Sequence, residues 1–312
     1  MTTKTFRVFI LSFLYTALAA DAQRPVIIEG GGRVSLGEMA RNIQLESSAS
    51  FEWVRITDAA TIEEIRLICS LPALKTIEFG DTLNEIALKP KMLHELSSAK
   101  NLLNIDLCVT AINENDIQIF SKLTKVVGVS IQSQSIDSSS HKWDDAFGAP
   151  IADMRSLEQL NLSQQKAQFT NKFLQKLRAC KKLRSLTIES VNFNEESFNI
   201  IGKMQELRHL SITLPNVSSL SFAGLRNSKL RELGVLELKR DGGPTNKIVI
   251  SDKAYQTLSS LPHLESIGMI ERWKVDSTEN NEKIINLQRH LINRRDRLVN
   301  EQKLKSDLQN QP

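Results

Sequence analysis

Residues 183–188, Leu183-Arg184-Ser185-Leu186-Thr187-Ile188, decide the fold, because their spacing of apolar residues returns along the chain. The three apolar positions recur before this stretch as Phe51-Val54-Ile56, Leu74-Ile77-Phe79, Leu102-Ile105-Leu107, Val126-Val129-Ile131 and Leu157-Leu160-Leu162. After it come Leu207-Leu210-Ile212, Leu230-Leu233-Val235 and Leu264-Ile267-Met269. The middle residues are separated by 23, 28, 24, 31, 26, 24, 23 and 34 positions. Six of those eight intervals fit a repeating unit of roughly 20–29 residues.

Alternation at the second and third apolar positions is the period of a strand with one buried face. A helical spacing follows each strand, as in Ile117-Phe120-Leu123, Phe173-Leu177-Cys180 and Phe198-Ile201-Met204. Asn113, Asn115, Asn171, Asn194 and Asp252 stand where N-caps are expected. One such unit cannot cover its own apolar face, whereas stacked neighbours form a continuous core. An ordinary alternating α/β domain would instead show longer uninterrupted apolar strands.

With this register the chain resembles the leucine-rich-repeat family over residues 51–275. The resemblance implies an α/β solenoid of about nine repeats, with a curved parallel sheet on the concave side and helices on the convex side. One family feature is absent. The position usually held by Asn or Cys reads Ala59, Thr82, Thr110, Gln134, Gln165, Val191, Pro215 and Leu238, so there is no asparagine ladder and no subclass is assigned.

The rest of the chain reads as attachments to that repeat. Lys4 and Arg7, an apolar stretch over 8–20 and Ala20-Asp21-Ala22 have the form of a secretory leader over 1–22. The run is too short to span a bilayer comfortably, and no Cys follows the cut. Residues 23–50 read as an N-terminal cap. Its Gly30-Gly31-Gly32 has neither the Lys-Ser or Lys-Thr nor the βαβ context of a phosphate loop. Residues 276–312 form a charged helical tail, with Ile284, Leu287, Leu291 and Leu298 on one side. Arg294 falls in that stripe and interrupts any coiled coil. The plain expectation is a helix packed on the last repeat, with self-association through 279–308 as the alternative.

Net charge is +4, and loss of Lys4, Arg7 and Asp21 with the leader would leave +3. Charges of both signs are interspersed, which argues against an obligate polyanion or nucleic-acid partner. Cys69 and Cys180 read as small core residues, while Cys108 is placed on the inner surface. Their odd number and wide spacing define no disulfide framework.

Two repeats are lengthened, around residues 138–148 and 239–245, each between a strand and its helix. Equivalent junctions line one edge of a solenoid, so both loops are expected on one rim. The first is read as a solvated loop exposing Trp143. Its His141, Asp144 and Asp145 form only a weak metal-ligand pattern.

The outward strand positions list the inner surface in advance. One row runs Arg55, Glu78, Asp106, Ser130, Asn161, Thr187, Ser211, Gly234 and Gly268. The next runs Trp53, Thr76, Asn104, Gly128, Gln159, Ser185, His209, Glu232 and Ser266. Trp and Arg are enriched at binding hot spots. The partner-binding candidates are therefore Trp53, Arg55, Glu78, Asp106, Asn161, His209 and Trp143. Asn161-Leu162-Ser163 and Asn216-Val217-Ser218 match the glycosylation pattern.

No Gly-x-Ser-x-Gly, His-Glu-x-x-His or Cys-x-x-Cys occurs, and the five histidines are scattered. The acid pairs Glu63-Glu64 and Glu195-Glu196 sit at helix starts, where the dipole accounts for them. The expectation is thus a non-enzymatic, exported binding protein without cofactor or metal, secreted, periplasmic or on the cell surface. It would hold a protein, or a glycan, on its concave sheet and one rim. A structural component of an envelope or matrix, assembling through the tail, is the second reading. A cytoplasmic adaptor is the third.

Overall fold

The computed structural model describes residues 52–56, 60–80, 90–110, 112, 114–133, 143–164, 167–189, 193–214, 217–237, 248–268, 273–275 and 280–309. The leader, the N-terminal cap, most of both insertions, His141 and Asn216 lie outside these residues. So do Phe51, Asn113 and Met269, and every former ladder position except Thr110. The chain forms two compact units, Met1–Ala111 and Ile112–Pro312.

In the first unit, β1 (Trp53–Ile56), β2 (Thr76–Phe79) and β3 (Asn104–Cys108) lie side by side. They pair in parallel with Trp53, Thr76 and Asn104 in one row and Arg55, Glu78 and Asp106 in another. Helix α1 (Ile62–Cys69) follows β1. Thr61 caps it through a reciprocal box with Glu64, which satisfies two orphan groups of the first turn. Helix α2 (Pro90–Glu95) follows β2 and runs into a 3-10 turn, Leu96–Ser98.

The second unit stacks β4 (Gly128–Ser133), β5 (Gln159–Gln164), β6 (Ser185–Glu189), β7 (His209–Leu214), β8 (Glu232–Glu237) and β10 (Ser266–Gly268) in that order. Every pair is parallel and in the register read from the sequence. Between strands come α3 (Glu114–Ile117, before β4), α4 (Gly148–Ala152), α5 (Asn171–Leu177), α6 (Glu195–Ile201) and α7 (Asp252–Ser260). A separate parallel pair, β9 (Ile248–Ile250) with β11 (Trp273–Val275), was not anticipated.

All described residues of the three-residue motif are buried except Ile56, which is half-buried. The apolar helical positions Ile117, Phe120, Phe173, Leu177, Phe198 and Ile201 are buried against them. Each unit is therefore built of the α/β leucine-rich-repeat stack that the period implies, with one core running under successive strands.

Several local expectations change. Asn194 caps α6, but the caps of α5 and α7 are Thr170 and Ser251, one residue before Asn171 and Asp252. Asn115 lies inside α3. Among the described residues between β7 and β8 there is no α-helix, and a 3-10 turn at Ala223–Leu225 takes its place. Two glycines account for the close approach there. A Cβ on Gly202 would sit 1.9 Å from Gly224 O, and one on Gly224 would sit 2.3 Å from Asn199 N. Phe222 enters the turn at φ 55, in the left-handed region that non-glycine residues seldom adopt. Its ring is fully buried edge-on to Phe198, with centroids 4.9 Å apart.

Trp143 is buried rather than exposed. The end of the insertion folds back, so that Trp143 N donates to Gln164 Oε1 at 3.1 Å and Trp143 O accepts from Gln168 N at 2.6 Å. Its ring then packs 5.3 Å from Phe147 and begins an aromatic run through Phe169 and Phe173. Cys108 is likewise buried, not on the surface, as are Cys69 and Cys180.

Helix α8 (Asn280–Gln309) docks on the last repeat through Ile284, Leu287 and Leu291, all buried. Arg294, in the same stripe, donates to the carbonyls of Leu264 (3.0 Å), Ser259 (3.4 Å) and Leu261. Carbonyls at the end of α7 lack intrahelical donors, so the guanidinium satisfies them where an aliphatic chain could not. Burial, with Arg297 nearby, pulls its pKa below the usual guanidinium value.

Candidate functional site

Parallel strands in register present every second residue on one exposed face, and the two outward rows are those read from the sequence. In the first unit this face holds a built cluster. Trp53 Nε1 donates to Glu78 Oε1 at 2.8 Å, and Arg55 Nε donates to Glu78 Oε2 at 2.7 Å. The Arg55 guanidinium also lies 5.1 Å from the centre of the Trp53 ring, within cation–π range. Glu78 is 5% exposed, whereas the Arg55 side chain is 37% exposed. The carboxylate is thus a buried brace that fixes a half-exposed arginine and tryptophan in one geometry. Asp106 is half-buried across from Glu78, and Asn104 Nδ2 approaches Thr76 Oγ1 at 3.4 Å.

In the second unit the outward rows are polar. Asn161 Nδ2 donates to Ser130 Oγ at 3.2 Å, which engages the amide that a glycan would need. His209 Nδ1 lies 3.0 Å from Glu232 Oε2, directly across the β7–β8 ladder. That hydrogen bond, opposed by partial burial and aided by the His209 charge, holds the Glu232 carboxyl below its usual range. Glu232 was not singled out from sequence. Its signal was the register itself, which sets it opposite His209 once the ladder is drawn.

The structure therefore brings Trp53, Arg55 and Glu78 together, pairs Asn161 and His209 with neighbours in their own rows, and removes Trp143 to the core. Asp144 and Asp145 serve backbone groups instead of a metal. Asp144 accepts from Ala146 N at 2.8 Å, and Asp145 accepts from Thr170 N at 2.8 Å and Phe173 N at 3.2 Å. Among the described residues no cluster has the make-up of a metal site. Glu195 acts like Asp145 one repeat pair further on, accepting from Ser221 N at 2.9 Å and Ala223 N at 3.2 Å. These two carboxylates each tie one repeat to the backbone of the next.

No helix among the described residues is long and apolar enough to cross a membrane. No protein-family model matches the chain, and no curated protein matches it. Among solved structures, it is similar to an internalin (InlF) from Listeria monocytogenes, with 14% identity over 69% of this chain and 59% of that one and a TM-score of 0.42. It is also similar to TLR13 in a complex with ssRNA13, with 14% identity over 73% of this chain and 35% of that one and a TM-score of 0.41. The chain thus spans less than two thirds of either protein's length. What the structure itself establishes is the fold: in each unit, parallel strands stacked in register over buried Leu-x-x-Leu-x-Leu positions form a leucine-rich-repeat stack.

Proposed function

We propose that the chain is a non-enzymatic, exported recognition protein that holds a protein partner on the exposed face of its sheet, with Trp53 and Arg55 as anchors. The observation that carries this is the brace at Glu78. A tryptophan and an arginine held in place by a nearly buried carboxylate lose little side-chain entropy on binding. These are also the residue types that dominate interface energetics. Export rests on the leader pattern in residues 1–22.

Affinity capture from the host's exported fraction tests this, using the protein beside a Trp53→Ala/Arg55→Ala variant. A partner retained by the first and lost by the second supports the reading. Equal capture by both rejects these anchors.

A second reading is favoured by one feature of α8. Ile285, Ile292 and Val299 are the large hydrophobics exposed among the described residues, at 50%, 42% and 56%, and they lie seven residues apart. That spacing gives one stripe along the helix, away from the docked residues, and β-branched residues at such positions suit a two-stranded pairing with a second copy. Light scattering over a dilution series, with and without Ile285→Ser/Ile292→Ser/Val299→Ser, separates the cases. A monomer in both forms rejects self-association.

A further inference from the structure

The turns leading into β6, β7 and β8 carry more cations than their acids can offset. The backbone stacks these turns directly. Arg184 N donates to Glu158 O, Arg208 N to Arg184 O and Arg231 N to Arg208 O, each at 2.8 Å. Three arginines thus stand on consecutive repeats, one strand spacing of about 4.8 Å apart, where like charges repel. Three glutamates answer them. Glu158 lies 3.4 Å from Arg184, Glu206 lies 3.2 Å from Arg208, and Glu265 lies 3.5 Å from Arg231. Glu206 is also 3.5 Å from Lys229.

With those acids engaged, Arg178, Lys181, Lys182, Lys203 and Arg226 remain on the same turns. All five are exposed, and none has an acidic partner among the described residues. Complementing a helix C-terminus explains a cation or so per turn, each worth a fraction of a kcal/mol to about 1 kcal/mol. It does not explain a surplus concentrated at one edge of a chain whose whole net charge is only +4.

We infer that this edge of the second unit binds a sulfated polysaccharide. Its cations advance repeat by repeat along a line, which fits a linear anionic chain. The surplus is mostly lysine, whose ammonium is a point charge that does not demand the bidentate geometry of arginine. The turns over 178–184, 202–208 and 226–231 contain no aromatic residue, so the stacking platform of single-stranded nucleic-acid binding is missing. This site is distinct from the sheet-face anchors and takes a ligand of different chemistry.

Heparin is the probe. The purified protein is titrated over a series of salt concentrations beside Lys181→Gln/Lys182→Gln/Lys203→Gln/Arg226→Gln. A control, Lys172→Gln/Lys253→Gln/Lys303→Gln/Lys305→Gln, removes the same charge elsewhere. The edge variant is expected to bind at least tenfold more weakly, with a salt dependence shallower by about 3 in log–log slope if counterion release per cation resembles that at phosphates. The control is expected to stay within twofold of the unaltered protein, and circular dichroism checks that all three are folded. Absent heparin binding, or equal loss in both variants, overturns the site. Tighter binding of oligothymidylate than of heparin overturns the choice of polysaccharide.

Discussion

The Trp53 indole N–H donates to Glu78 Oε1 across 2.8 Å, from one strand to the next, while the second oxygen of the same carboxylate receives Arg55. Glu78 is therefore expected to matter to stability as well as to recognition. Replacing it with Ala leaves two donors without their acceptor and should cost about 1.5–3 kcal/mol. Glu78→Gln keeps an acceptor for one donor and should cost less. Urea denaturation of the two variants checks the order, and equal costs would mean that the brace contributes nothing specific.

Phe222 holds a left-handed backbone conformation because its surroundings leave no alternative. Its ring is locked on Phe198, and the flanking Ser221 and Ala223 amides are held by Glu195. Phe222→Ala should cost about 3–5 kcal/mol from the cavity alone. Glu195→Ala should lower stability by a smaller amount and, on the proposed separation of sites, leave heparin binding unchanged. Thermal unfolding and the heparin titration together test both statements.

The buried thiols predict a pH response with a defined sign. Burial pushes Cys69 up to about 12, helped by Glu95, and burial pushes Cys180 up to about 11, helped by Asp153. An acid whose folded pKa exceeds its unfolded value contributes its stability in full below the unfolded value. That contribution is lost as pH climbs from there through the folded value. The protein should therefore weaken from roughly pH 9 upward, and Cys69→Ala/Cys180→Ala should flatten that decline. Iodoacetamide at pH 8 should label these thiols slowly in the native state and rapidly in urea.

Arg294 joins the tail to the last repeat through the carbonyls of Ser259, Leu261 and Leu264. Arg294→Leu, which keeps the apolar stripe, should cost about 1–3 kcal/mol by leaving those acceptors unmet. It should also raise amide exchange in α8 before the sheet is affected. Uniform exchange across α8 and the strands would show that the tail and the repeats open as one.

The sequence alone determined the repeat, its phase and the two outward rows. Those depend only on which residues alternate along a strand, and a one-residue slip would have turned Leu186 and Ile188 outward. It also placed Ile284, Leu287 and Leu291 on the docking stripe of the tail, since helical spacing is local. The tertiary structure alone decided the rest. Trp143 looked exposed because a polar insertion precedes it, yet its burial depends on Gln164, Gln168 and Phe147, more than one of them twenty residues away. Arg294 looked like a break in an apolar stripe until the end of α7 supplied carbonyls for it. The brace at Glu78 and the surplus of cations beside Arg184, Arg208 and Arg231 exist only between repeats. Charges that look evenly mixed along the chain are sorted by stacking, because residues some 23 to 26 positions apart become neighbours one strand spacing away.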